Sequence, residues 1–166
     1  MALNATLDFT VKYRNTYSTN TAGTATEKYE PTTWSLQCDD GTGSGQANKG
    51  FTRSGTLTAT TTDIDLYSIA NTFQTLTNSK LKLIVIFNDA TGDGEFLTVG
   101  GAGSNPWSAA FGDPSDKVKI GPGLFLMLGS LKAQSASPLT IDTTHRNLKL
   151  DSGSATIAYR IVFLGV

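Results

Sequence analysis

The chain has 166 residues, 39% of them hydrophobic and 16% charged, with a formal net charge of −1. That length suits one domain with a proper core, and the low charge is made up by Thr, Ser, Gly and Asn. The near-neutral balance, with no basic run, excludes the electrostatic footprint of a nucleic-acid binder; no apolar stretch is long enough to span a bilayer, and a lone cysteine, Cys38, excludes an internal disulfide. Met1-Ala2-Leu3-Asn4 has neither the basic start nor the apolar stretch of a secretory leader, so synthesis in a cytosol is expected. A polar but nearly uncharged surface fits a secreted module or a subunit of a large assembly.

Leu3 to Tyr13 alternates cleanly, with Leu3, Ala5, Leu7, Phe9, Val11 and Tyr13 on one face, and predicts a long half-buried strand. Residues 14–30 are rich in Thr and Asn and are expected to form a polar loop or an extended arm. Trp34, Leu36 and Cys38 mark a second strand, with Cys38 facing the core as a small hydrophobe. Residues 39–50 form a Gly-rich loop that lacks the Gly-Lys-Ser/Thr ending of a phosphate loop.

Residues 54–62 read as a strand, and 67–72 as the only place for a short helical turn. Leu81 to Asn88 is an apolar run, dense in β-branched residues, that stops abruptly at a turn; it predicts a central strand buried on both faces. Glu95–Val99 and Lys117–Ile120 are short strands. Gly121-Pro122-Gly123 is a strong turn signal, and Leu124–Leu128 is a second wholly apolar strand, also expected to lie centrally. Leu139–Ile141, Leu148–Leu150 and Ala155–Leu164 complete the set. Lys80 and Lys82, like Lys117 and Lys119, sit at alternating positions and read as solvated strand charges.

Nine or ten punctuated strands without a helical period predict an all-β protein: an antiparallel β-sandwich of the jelly-roll kind, in one domain over residues 1–166. Two strands apolar on both faces imply that an outer face is covered too, by an arm, a loop or another subunit.

Asp89, Asp93 and Glu95 lie within seven residues and could supply oxygens to a calcium ion, although their spacing is not that of an EF-hand and equally suits a hairpin turn. No other cofactor is expected. Glu27 and Glu30, the remaining glutamates, fall in the polar arm, with nothing to set either opposite another acid as glycoside hydrolysis requires. His145, the sole histidine, sits in a turn, and no triad is visible around it. The expectation is a protein that is not an enzyme. Trp107 and Phe111 share a loop and are the interface or ligand candidates. They have three readings: stacking on a sugar ring, anchoring a neighbouring subunit, or folding back to cap the sandwich.

Several segments resemble the small virion-associated β-sandwich proteins of tailed bacteriophages: Thr62-Asp63-Ile64-Asp65-Leu66, Leu81–Asn88, Leu97-Thr98-Val99-Gly100-Gly101-Ala102, Pro106-Trp107, Phe111-Gly112-Asp113, Ile120–Leu126 and Ala155–Gly165. The resemblance spans about residues 54–165 and departs at Pro122-Gly123-Leu124, where the family's turn has a second glycine. It implies a non-enzymatic structural protein located in the virion after synthesis in the host cytoplasm. The first choice within the family is a capsid decoration (cement) protein, a jelly roll that forms a homotrimer and docks on a major capsid protein or another virion protein. The alternative is a carbohydrate-binding module of a tail or host-adhesion device, using Trp107 and Phe111. Neither nucleic acid nor membrane is an expected partner.

Overall fold

The computed structural model of the protein describes residues 3, 5–19, 23–70, 74–129 and 139–166. Among these residues the chain forms thirteen β-strands and no helix. Eight of the strands build two four-stranded antiparallel sheets. The first contains β4 (Lys49–Thr58), β8 (Leu81–Asn88), β11 (Phe125–Gly129) and β13 (Thr156–Gly165) in the order β11-β8-β13-β4; the second contains β5 (Thr61–Asp65), β9 (Leu97–Gly100), β10 (Lys117–Ile120) and β12 (Asn147–Asp151) in the order β10-β9-β12-β5. A long ribbon of β1 (Ala5–Thr19) and β2 (Gly23–Asp40) continues into the two-residue β3 (Gln46–Ala47), which runs parallel to the end of β2. β6 (Ser68–Ala70) and β7 (Thr75–Thr77) form a small hairpin.

The sheets stack because their strands alternate. In β13, Ile157, Tyr159, Ile161 and Phe163 are buried, while Ala158 and Arg160 between them are exposed. Side chains from both inner faces join one core, with Ile84, Ile86 and Phe163 from the first sheet meeting Leu97, Val99, Leu148 and Leu150 from the second. Each such side chain contributes about 1.5–3 kcal/mol on leaving water. The protein is therefore an antiparallel β-sandwich. Its strands pair as one long ribbon, β4 with β13, β5 with β12, β8 with β11 and β9 with β10, whose tip is the β9–β10 link. Further bonds from β8 to β13 and from β9 to β12 roll this ribbon into the two sheets.

The outer face of β8 is covered as expected. Leu83 and Val85 are buried there against Cys38 and Ala47, with Leu3 and Ala5 alongside, so the cover comes from the base of the N-terminal ribbon and β3. This second apolar layer explains why β8 is buried on both faces.

Several sequence expectations need correction. The stretch 14–30 is not a loop: its described residues continue the ribbon, with Arg14 opposite Lys28 and Thr19 opposite Gly23. Thr and Tyr favour extended backbone even where apolar alternation has stopped. The loop at 39–50 shrinks to residues 41–45 and residue 48, because β2 runs to Asp40 and β4 starts at Lys49. The strand expected over 54–62 is two strands in different sheets, broken at Ala59, whose φ of 47° marks a turn without glycine or proline. Residues 68–70 of the expected helical turn are strand β6, while 71 and 72 lie outside the described residues. Leu139–Ile141 makes only a single bridge, Thr140 to Lys80. The second apolar strand is not central: β11 is the edge of its sheet.

Candidate functional site

The turn leaving β8 holds the acidic candidates. Asn88, buried at the strand end, donates from Nδ2 to the carbonyls of Glu95 (2.7 Å) and Ile120 (2.9 Å) and accepts from the Ala90 amide at 3.0 Å. One amide side chain thus ties β8, the following turn and the end of β10 together. Asp89 is taken by Arg160, whose Nε and Nη2 donate to its carboxylate at 2.6 and 2.8 Å. These bonds hold the Asp89 carboxyl below its ordinary range, and the guanidinium also lies over the Phe87 ring at 4.6 Å. Glu95 accepts from the Gly92 amide at 2.7 Å, closing the turn, and Asp93 is exposed. Each acid has its own place, and among the described residues no three His, Cys, Asp or Glu side chains gather in a group that could hold a metal ion.

Trp107 does not face outward. It is 2% exposed, its Nε1 donates to the Thr140 carbonyl at 2.9 Å, and Phe111 packs edge-on to it at 6.0 Å between ring centres. Of the three readings given to this pair, the geometry matches the cap on the sandwich. The indole has no free face for a sugar or a neighbouring subunit, because its polar edge finds a partner only inside the molecule.

Lys82 also departs from expectation. The β8–β13 register passes from Leu83 opposite Leu164 to Leu81 opposite Gly165, leaving Lys82 as the extra residue of a β-bulge. Lys82 lies beneath the Gly-rich loop on the outer side of β8, where it is 1% exposed and donates from Nζ to the Gly43 carbonyl at 3.0 Å. A buried ammonium so close to the Gly-rich loop anchors that loop to the sheet. Beside it, burial pushes the Cys38 thiol up, against the lowering influence of Lys82.

The remaining acids and bases serve turns. Asp142 accepts from the Thr144 hydroxyl and amide at 2.7 Å each and from the His145 amide at 2.8 Å, and His145 Nδ1 lies 3.1 Å from its carboxylate in an exposed loop. Asp65 receives Arg146, which also lies over the Tyr67 ring. A shallow groove along β4 and β13, lined by residues including Arg53, Ser54 and Arg160, is open to solvent, and one of its two guanidinium groups is already committed to Asp89.

The surface feature that sequence reading missed is apolar. Phe96, Leu124, Phe125 and Met127 are 46%, 60%, 50% and 43% exposed, and three of them lie on or beside β11. Phe125 and Met127 stand opposite Phe87 and Val85 on the outer face, with the Phe125 and Phe87 rings 5.7 Å apart. The strip therefore continues the outer apolar layer to the sheet edge. The signal was in the sequence: a run without polar alternation that lacks the length and punctuation to separate a central strand from an edge.

Compared with protein families, curated proteins and solved structures, the chain matches none.

Proposed function

We propose that the protein is a non-enzymatic structural component of a tailed-phage particle, a capsid decoration protein that stabilises the head by self-association and by docking on the shell. The observation that carries the reading is the N-terminal ribbon. Among the described residues its strands pair only with each other and with β3, β1 and β2 over fourteen matched positions from Ala5–Cys38 to Thr19–Gly23. A lone two-stranded ribbon is marginally stable in water. At about 3.4 Å per residue it reaches roughly 50 Å, which suits an arm that becomes stable on a neighbouring subunit. The rolled pairing of the eight sandwich strands supports the jelly-roll part of the proposal, since two Greek keys in two sheets pair in this way. In the homotrimer that the resemblance implies, modest interfaces gain strength by repetition. The carbohydrate-binding alternative loses its stacking platform with Trp107 in the core.

The test is immunolabelling of intact particles of the phage that encodes the chain. Label spread regularly over heads is the expected result, label confined to tails overturns the decoration role, and no label on particles overturns the virion reading. Removing residues 14–30 should weaken attachment to heads while leaving the sandwich folded, because the described residues of that stretch, 14–19 and 23–30, belong to the ribbon and not to the two sheets.

A further inference from the structure

We propose that two copies of this chain pair edge to edge through β11, antiparallel about a twofold axis at Met127, making one continuous eight-stranded sheet. The inference deepens the self-association invoked above and rests on that reading for its use in a particle; on a shell, the pairing would link neighbouring trimers.

The direction of the backbone comes first. Gly121-Pro122-Gly123-Leu124 is a turn closed by the Leu124 amide on the Gly121 carbonyl, with Gly123 at φ 69°. Asn88 then donates from its amide to the Leu124 carbonyl and accepts from the Gly123 amide, both at 3.0 Å. A glycine of positive φ and its successor facing one residue form a glycine bulge, and beyond it antiparallel bonding alternates. Leu126 and Leu128 therefore bond inward to Ile86 and Ile84. The amides and carbonyls of Phe125, Met127 and Gly129 point to the open side, where no strand among the described residues pairs with β11.

Charge distinguishes this edge from the other three. Edge strands are commonly protected by charged side chains. Lys117 and Lys119 stand on β10, Asp63 and Asp65 on β5, and Lys49 and Arg53 on β4. Leu124 to Gly129 carries no charge and no proline. A bare edge among guarded ones fits an uncharged partner strand, and a second copy supplies one.

Self-complementarity fixes the register. With the axis at Met127, the three outward-bonding positions meet only one another: Met127 faces Met127, and Phe125 faces Gly129. An aromatic ring opposite a glycine shields the backbone that the glycine leaves open. Its own fold also favours glycine at 129, since a Cβ there would lie 2.9 Å from Leu83 Cδ1 and 3.2 Å from the Lys82 carbonyl. Leu124, Phe125 and Met127, three half-exposed side chains of roughly 200 Å² each, leave about 300 Å² of apolar surface per copy. Two copies with their backbone edges fall in the size class of weak, transient interfaces, below about 1,200 Å², so association with Kd in the range of about 10–100 µM is expected.

The experiment is sedimentation equilibrium of the full chain and of Met127→Lys across that concentration range, with circular dichroism to show that both are folded. The expected result is a wild-type mass that rises with concentration to at least twice that of the variant, whose mass stays constant. Equal masses overturn the inference; a trimer of unchanged mass in Met127→Lys would do so while leaving the virion reading to its own labelling test. A second variant tests the register. Met127→Cys should cross-link two copies on mild oxidation, because directly opposed residues of a bonded pair lie about 5.5 Å apart at Cα, whereas Ser54→Cys on the charged β4 edge should not. Cross-linking of both, or of neither, overturns the twofold pairing at β11.

Discussion

β8 and β11 are neighbours of nearly the same composition with opposite fates. Leu81–Asn88 lies inside its sheet with both faces covered, one by the second sheet and the other by Cys38, Ala47 and the ribbon base. Phe125–Gly129 lies at the edge, its inner face packed through Leu126 and Leu128 and its outer face wet. An apolar run thus records that a strand needs company on both faces, and the company can be the same molecule or another one. For β8 the rest of the chain provides it; for β11 the described residues leave one face and one edge uncovered.

Mutating matched rungs breaks the comparison most directly. Ile86 and Leu126 face each other across the two strands and both point into the core. Ile86→Ala leaves a cavity with sheet on every side and should cost about 3–4 kcal/mol, whereas Leu126→Ala, half-buried at the edge, should cost about 1–2 kcal/mol. On the outer face Met127→Ala should change stability by less than about 0.5 kcal/mol. Urea denaturation of the three variants at one low protein concentration checks the ranking, and equal losses at Ile86 and Leu126 would remove the distinction between the strands.

The next effect in size concerns how β8 ends. Asn88→Ala leaves the carbonyls of Glu95 and Ile120 and the amide of Ala90 without their side-chain partner. Orphaned buried groups cost about 1–3 kcal/mol each before relaxation, so a net loss of about 2–3 kcal/mol is expected in the same denaturation experiment. Asn88→Asp should be no better, because a carboxylate cannot donate to two carbonyls. Among the described residues β11 has no such polar anchor.

These contrasts also mark what the sequence revealed. The alternation of β13 was legible because one face of that strand is wet, and the double burial of β8 because its run has no wet face. The edge position of β11 was not, since composition does not name a strand's neighbour. The break between β4 and β5 was hidden because Ala59 takes a positive φ at a position where neither glycine nor proline announces a turn. Sequence left three readings open for Trp107 because its partner, the Thr140 carbonyl, comes from 33 residues away. Lys82 looked solvated because its partner, the Gly43 carbonyl of the loop that covers it, comes from 39 residues away. Asp89, Asp93 and Glu95 were correctly placed in one turn, but proximity in sequence did not bring their carboxylates to one point.

The smallest expected effect separates the two strands by pH. Away from β11, carboxylates titrate below their ordinary values: the Asp89 carboxyl is lowered by the hydrogen bonds from Arg160, and that of Asp142 by those from Thr144. For Asp65, partial burial pushes upward, and the bond from Arg146 with the amides of Ser68 and Tyr67 more than offsets it. A carboxyl whose folded pKa lies below its unfolded one binds fewer protons in the folded state. Its contribution is fully present above the ordinary carboxylate range of about 4 and is lost as pH falls through the lowered value. The urea midpoint should therefore be flat above about pH 5 and decline below about pH 4, with Asp65→Asn declining less steeply. Residues 124–129 contain no titratable side chain, so the proposed edge pairing should hold the same affinity wherever the fold is intact. A dimer that dissociated between about pH 5 and 8, while the urea midpoint stayed constant, would show that charged groups elsewhere make the contact and that the bare edge of β11 does not.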